Sequence, residues 1–153
     1  MEISFDERAR LTLEVVEVLP PPPYRGAIAL SVVVLDATVM APDFQGRRRF
    51  QVAAPVLEQL VADLEALERS RSGIVHFDDD DYGAFSLTVS AADGAGHLAL
   101  SADLKWGAAF AGDRWERLLS VAEASVDPSD LPHLVQATRQ LWDGVVALHQ
   151  GNS

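Results

Sequence analysis

Six aspartates and no lysine or arginine lie between Ile74 and Leu104, four of them consecutive at Asp78, Asp79, Asp80 and Asp81, with Tyr82 directly after. Neighbouring carboxylates can attract a cation or a basic protein, and an adjacent ring supplies contact area for the latter. A calcium loop of the EF-hand type does not fit. Asp78, Asp80 and Gly83 suit its first, third and sixth positions, but Tyr82 takes the fifth and Val89 stands where the bidentate glutamate belongs. The histidines His76, His97, His133 and His149 share no ligand spacing on one element, and the chain has no cysteine. No G-x-S-x-G elbow, P-loop or G-x-G-x-x-G turn is present. The residues therefore point to no catalytic set, no metal and no cofactor.

The elements that would position these groups follow from periodicity. Leu11–Leu19 alternates as a strand, and the doublet Val15–Val16 shifts its apolar phase, as a bulge does. Pro20–Pro23 ends it as a stiff spacer. The apolar stretch Ile28–Leu35 within Ala27–Met40 suits a central strand. Arg47–Val52 reads as an edge strand, because its three consecutive arginines discourage further pairing. Pro55 then opens a helix with Leu57, Leu60, Val61, Leu64 and Leu67 on one face, ending near Arg71 and Gly73.

Three strands follow, Ile74–Phe77, Ala84–Ala91 and His97–Leu104, the last two joined by the turn Asp93-Gly94-Ala95-Gly96. With Ala92 opposite His97, the register sets Ser86 opposite Asp103 and Phe85 opposite Leu104. Asp103 then returns to the end of the sheet that holds Asp78–Asp81, Tyr82 and Trp106. Trp106–Asp113 reads as a Gly/Ala loop, and Trp115–Val126 fits either a strand or a short helix. Asp127 is placed as an N-cap, with Pro128 in the first turn and a final helix bearing Leu131, Leu134, Val135, Thr138, Leu141, Trp142, Val145 and Leu148 on one side. No repeat is visible. The expected fold is α+β, a mainly antiparallel sheet with two helices in the order β-β-β-α-β-β-β-(β)-α, forming a single domain over residues 1–153.

Composition narrows the function. Twelve basic residues stand against 23 acidic ones, a net charge of −11, which disfavours a nucleic-acid partner because the field repels phosphate. No apolar run reaches the roughly 18 residues of a membrane span, and Met1–Arg10 lacks a secretory core, so a cytoplasmic protein without membrane contact is expected. The acidic stretch, with Tyr82, Asp103 and Trp106, marks Asp78, Asp79, Asp80, Asp81, Tyr82, Asp103 and Trp106 as the contact surface for a basic protein.

Three blocks carry a resemblance: FQVAAPVLEQLVADLEAL at Phe50–Leu67, FSLTVSAADGAGHLALSADL at Phe85–Leu104 and DPSDLPHLVQATRQL at Asp127–Leu141. In their order and spacing the chain resembles the WapI-type bacterial immunity proteins and related actinobacterial families. That resemblance implies a non-enzymatic module that neutralises a cognate, basic toxin by binding it. Two other readings stand beside it. One is an accessory subunit or homodimer joined through the sheet or through Trp142 on the last helix. The other is a ligand carrier or enzyme with a pocket near His76 and His97.

Overall fold

The computed structural model describes residues 1–5, 9–20, 31–41, 44–79, 84–92, 97–110 and 113–151; at 5, 9, 41, 44, 106–110 and 113–126 it describes the backbone only. Four strands lead into a helix, and the same order follows again. The first set is β1 (Glu2–Phe5), β2 (Ala9–Leu19), β3 (Val32–Ala41), β4 (Phe44–Ala53) and α1 (Ala54–Ser70). The second is β5 (Ile74–Asp78), β6 (Phe85–Ala91), β7 (Leu98–Phe110), β8 (Asp113–Val126) and, after a 3-10 turn at Pro128–Asp130, α2 (Leu131–Gly151). Each set of strands forms its own antiparallel sheet, in the orders β1-β2-β3-β4 and β5-β6-β7-β8. The fold is α+β.

Several expected features are present. The ladder between β2 and β3 shifts between Val15 and Glu17, leaving Val16 outside at 41% exposure. Phe85 faces Leu104 and Ser86 faces Asp103, and the N–H of Ala92 donates to the carbonyl of His97 at 2.7 Å. β4 is an edge strand. Asp127 caps the 3-10 turn by accepting from the Ser129 N–H at 2.8 Å. The turn expected at Asp93–Gly96 and most of the proline spacer lie outside the described residues.

Three features differ from expectation. Glu2–Phe5 adds a short strand, since Ile3 is buried while Glu2 and Ser4 are exposed. The Gly/Ala segment after Trp106 is not a loop: it continues β7 to Phe110, and the ambiguous segment up to Val126 is its partner β8. The third is the repeated order itself. It rests on spacing rather than identity, because Leu57, Leu60, Leu64 and Leu67 of α1 step by three, four and three residues, as do Leu131, Leu134, Thr138 and Leu141 of α2.

Those stripes explain the packing. Each helix turns a buried stripe inward, and a fully buried leucine stabilises by roughly 1.5–3 kcal/mol. α1 packs on α2 and crosses to β5 of the second sheet, while α2 crosses to β1 and β2 of the first. One hydrophobic cluster runs from Ile3 to Val145. Where the sheets meet, β4 lies against β7, and the rings of Phe50 and Phe85 stack with centroids 4.8 Å apart at 17°. α1 closes with Arg71 in the left-handed region, its N–H on the Leu67 carbonyl at 2.8 Å. The Arg71 guanidinium donates to the Pro128 carbonyl at 3.0 Å, tying the end of one helix to the start of the other. No helix among the described residues is long and apolar enough to cross a membrane.

Candidate functional site

On the outer face of the second sheet, Asp78, Ser86 and Asp103 lie in one row across β5, β6 and β7. The Ser86 hydroxyl points to Asp103 at 3.5 Å. The expected return of Asp103 to the end of the sheet that holds Asp78 is seen in the register, with Ser86 between them. Asp79 behaves otherwise. It is 8% exposed, its N–H donates to the Phe85 carbonyl at 3.1 Å and its Oδ1 accepts from the Phe85 N–H at 3.2 Å. Its carboxylate is thus bound to the Phe85 backbone through Oδ1, while Oδ2 is buried without a hydrogen-bond partner. Asp80, Asp81 and Tyr82 lie outside the described residues, and Trp106 is described by its backbone alone.

One row further on, His76 Nε2 lies 2.7 Å from Asp78 Oδ2 and its Nδ1 lies 2.9 Å from the Thr88 hydroxyl. An acid, an imidazole and a hydroxyl in line are the parts of a proton relay. The histidine, however, is 57% exposed on an open sheet, where the contacts serve to pin the edge strand to its neighbour. His97 faces Ala92, four residues along β7 from Ser101, the residue opposite Thr88. That is roughly 13 Å at strand rise, so the expected pocket joining His76 to His97 does not form. The described residues hold no group of three His, Asp or Glu able to bind a metal ion.

The first sheet carries a different polar centre. Asp36, on the outer side of β3, is only 3% exposed. Arg49 reaches it through Nε at 3.0 Å and Nη2 at 2.9 Å, and Arg47 through Nη2. These guanidiniums, Arg49 foremost, hold its carboxyl down at about 2 against the desolvation that would raise it. Arg48 takes the opposite side of β4, facing Ala37 in the register. Its Nε is enclosed by protein and has no hydrogen-bond partner.

The most distinctive backbone feature is the far end of the second sheet. β6 accompanies β7 only as far as the Phe85–Leu104 pair, yet β7 and β8 remain paired through six further positions, from Lys105–Leu118 to Phe110–Asp113. Along its two strands this ribbon carries the basic residues Lys105, Arg114 and Arg117, the acidic residues Asp113 and Glu116, and the aromatic residues Trp106, Phe110 and Trp115. Its register sets Trp106 opposite Arg117 and Ala108 opposite Trp115. Opposed residues share a face and alternate ones change it, so positions 106, 108, 110, 113, 115 and 117 fall on one face of the ribbon, Arg117 and Asp113 being its charged members. Such interleaving of rings and cations was legible in the sequence, but the Gly/Ala composition disguised the strand that orders it.

No protein-family model matches the chain, and no curated protein matches it. Among solved structures it is similar to the plant transcriptional regulator PBF-2, at 13% identity and a TM-score of 0.49, covering 99% of this chain and 84% of that one. It is also similar to WHY1 from Arabidopsis thaliana, at 11% identity and a TM-score of 0.47, covering 97% and 91%. A transcriptional regulator is of another class than the immunity-like, toxin-neutralising protein expected above. The expected toxin-neutralising role and the expected exclusion of nucleic acid are at odds with such a neighbour and are not carried further.

Proposed function

We propose that the protein is a binding module without catalytic activity, and that its ligand is single-stranded nucleic acid held on the β7–β8 ribbon. The observation that carries this reading is the register of the ribbon, which gathers Trp106, Phe110, Trp115 and Arg117 on one face beyond the rest of the sheet. Unpaired bases expose flat faces that stack on aromatic rings, and cations between the rings take the phosphates; a duplex hides those faces. Despite the net charge of −11, residues 105–118 carry three basic groups and two acidic ones. Few phosphates are neutralised, so affinity is moderate and its salt dependence shallow, with a slope of about −0.7 for the one cation, Arg117, that shares the aromatic face.

Tryptophan fluorescence tests this, since two of the three tryptophans stand on the ribbon and the third, Trp142, on α2. Titration with an unlabelled homopyrimidine oligonucleotide quenches the emission. Trp106→Ala and Trp115→Ala each remove part of the quench, and Trp142→Ala removes none of it. Equal quenching by duplex of the same length, or none by the single strand, overturns the reading.

A further inference from the structure

The three arginines of β4 differ in what holds them. Arg47 and Arg49 face outward and share Asp36. Arg48 faces the other way, on the side of the strand that carries Phe50. It is partly buried, no ion pair among the described residues includes it, and its Nε is shut away from water with no acceptor. An N–H group in that state costs stability, because the hydrogen bond lost to water has not been replaced. Its position adds meaning. β4 lies against β7, and Phe50 stacks on Phe85, which the register sets opposite Leu104, the last β7 residue before the ribbon. Arg48, in no ion pair among the described residues, thus stands two residues along β4 from the ring stack that joins the two sheets.

We infer that Arg48 is an oxyanion-binding residue, and that the group it takes is a phosphate. The identification of that phosphate with the backbone of a bound strand rests on the proposed function above. A guanidinium is suited to the task, since its planar fork engages two phosphate oxygens and stays charged at any working pH. Because Nε is enclosed by protein, the ligand would be met by the two terminal nitrogens of the fork.

The probe is inorganic tripolyphosphate, with thermal unfolding followed by circular dichroism. It raises the midpoint of the intact protein, while sodium chloride of equal ionic strength does not. In Arg48→Met the rise is lost, and the ligand-free midpoint is no lower than that of the parent, because an unsatisfied donor has gone. An equal rise in both proteins, or none in the parent, overturns the inference. Should Arg48→Met fail to fold, Arg48→Lys decides: it keeps the charge but not the fork, and must lose at least half of the rise. With a labelled single-stranded oligonucleotide, Arg48→Met lowers affinity about tenfold and flattens the salt slope by about 0.7. If the parent binds the oligonucleotide and Arg48→Met binds it equally, Arg48 is excluded while the ribbon reading stands. If the parent binds no oligonucleotide but the tripolyphosphate effect depends on Arg48, the ribbon reading fails and the oxyanion site stands.

Discussion

The two halves of the molecule run through the same order of elements and spend their outer surfaces differently. In the first, the hairpin of β3 and β4 is matched by β2 almost to its tip, since Arg10 still faces Met40. In the second, β6 stops at Phe85, and the corresponding hairpin runs on alone for six pairs. The first sheet ties its outer face together with ion pairs around a buried Asp36. The second presents hydroxyls at Ser86, Thr88 and Ser90, with Asp78, His76 and Asp103 among them. One plan thus yields a face committed to holding itself together and a hairpin free of a third strand. The repeated helix stripe supplies the common core, and the length of one strand pair supplies the difference.

The sharpest break in that comparison lies in the helix stripes. Leu64 and Thr138 occupy matching places, both fully buried. Leu64→Ala is expected to cost about 3 kcal/mol in urea unfolding, through lost burial and the cavity left behind. Thr138 already satisfies its hydroxyl on the Leu134 carbonyl at 2.8 Å, and Thr138→Val should cost about 1 kcal/mol or less. Equal losses at the two positions would mean that the stripes are not equivalent.

The central-strand aspartates divide the sheets next. Asp36 has its pKa depressed from 3.8 to about 2 by Arg49 and Arg47, so it adds stability above pH 3.8 that disappears as pH falls through 2. That is about 2 kcal/mol at neutral pH. Asp36→Asn should lose that amount at pH 7 and show a flatter stability profile between pH 4 and 2. Asp103, which meets only the Ser86 hydroxyl at 3.5 Å among its described contacts, should tolerate Asp103→Asn within about 0.5 kcal/mol. In binding, Trp106→Ala and Trp115→Ala should each weaken a single-stranded oligonucleotide about tenfold by anisotropy, the scale of one stacked base. Gln45→Ala, on β4 of the first hairpin, should leave that affinity unchanged.

Much of the framework could be read from residue order, and for physical reasons. The leucine spacing of α1, the Asp127-Pro128 start of the last helix and the alternation of β6 and β7 are strong because burial on one face enforces them. The β7–β8 extension was hidden because Gly107, Ala108 and Ala109 have little preference for strands; pairing with β8 imposes the conformation that composition does not. β1 was missed because four residues give alternation little room. The acidic run suggested a uniform charged surface, but Asp79 is buried and its Oδ1 accepts from the Phe85 N–H. Arg47, Arg48 and Arg49 looked like one edge charge, although strand alternation alone sends the middle one to the other side.

The most direct test shortens the ribbon to the proportions of its counterpart. Replacing residues 106–117 by Asn-Gly leaves Lys105 and Leu118 to close a two-residue hairpin, a turn those residues favour. Anisotropy of a labelled single-stranded oligonucleotide is measured with this variant and its parent, after thermal unfolding has shown both folded. Retained cooperative unfolding with loss of binding by two orders of magnitude or more is the predicted result. A folded variant that binds as tightly as the parent contradicts the account.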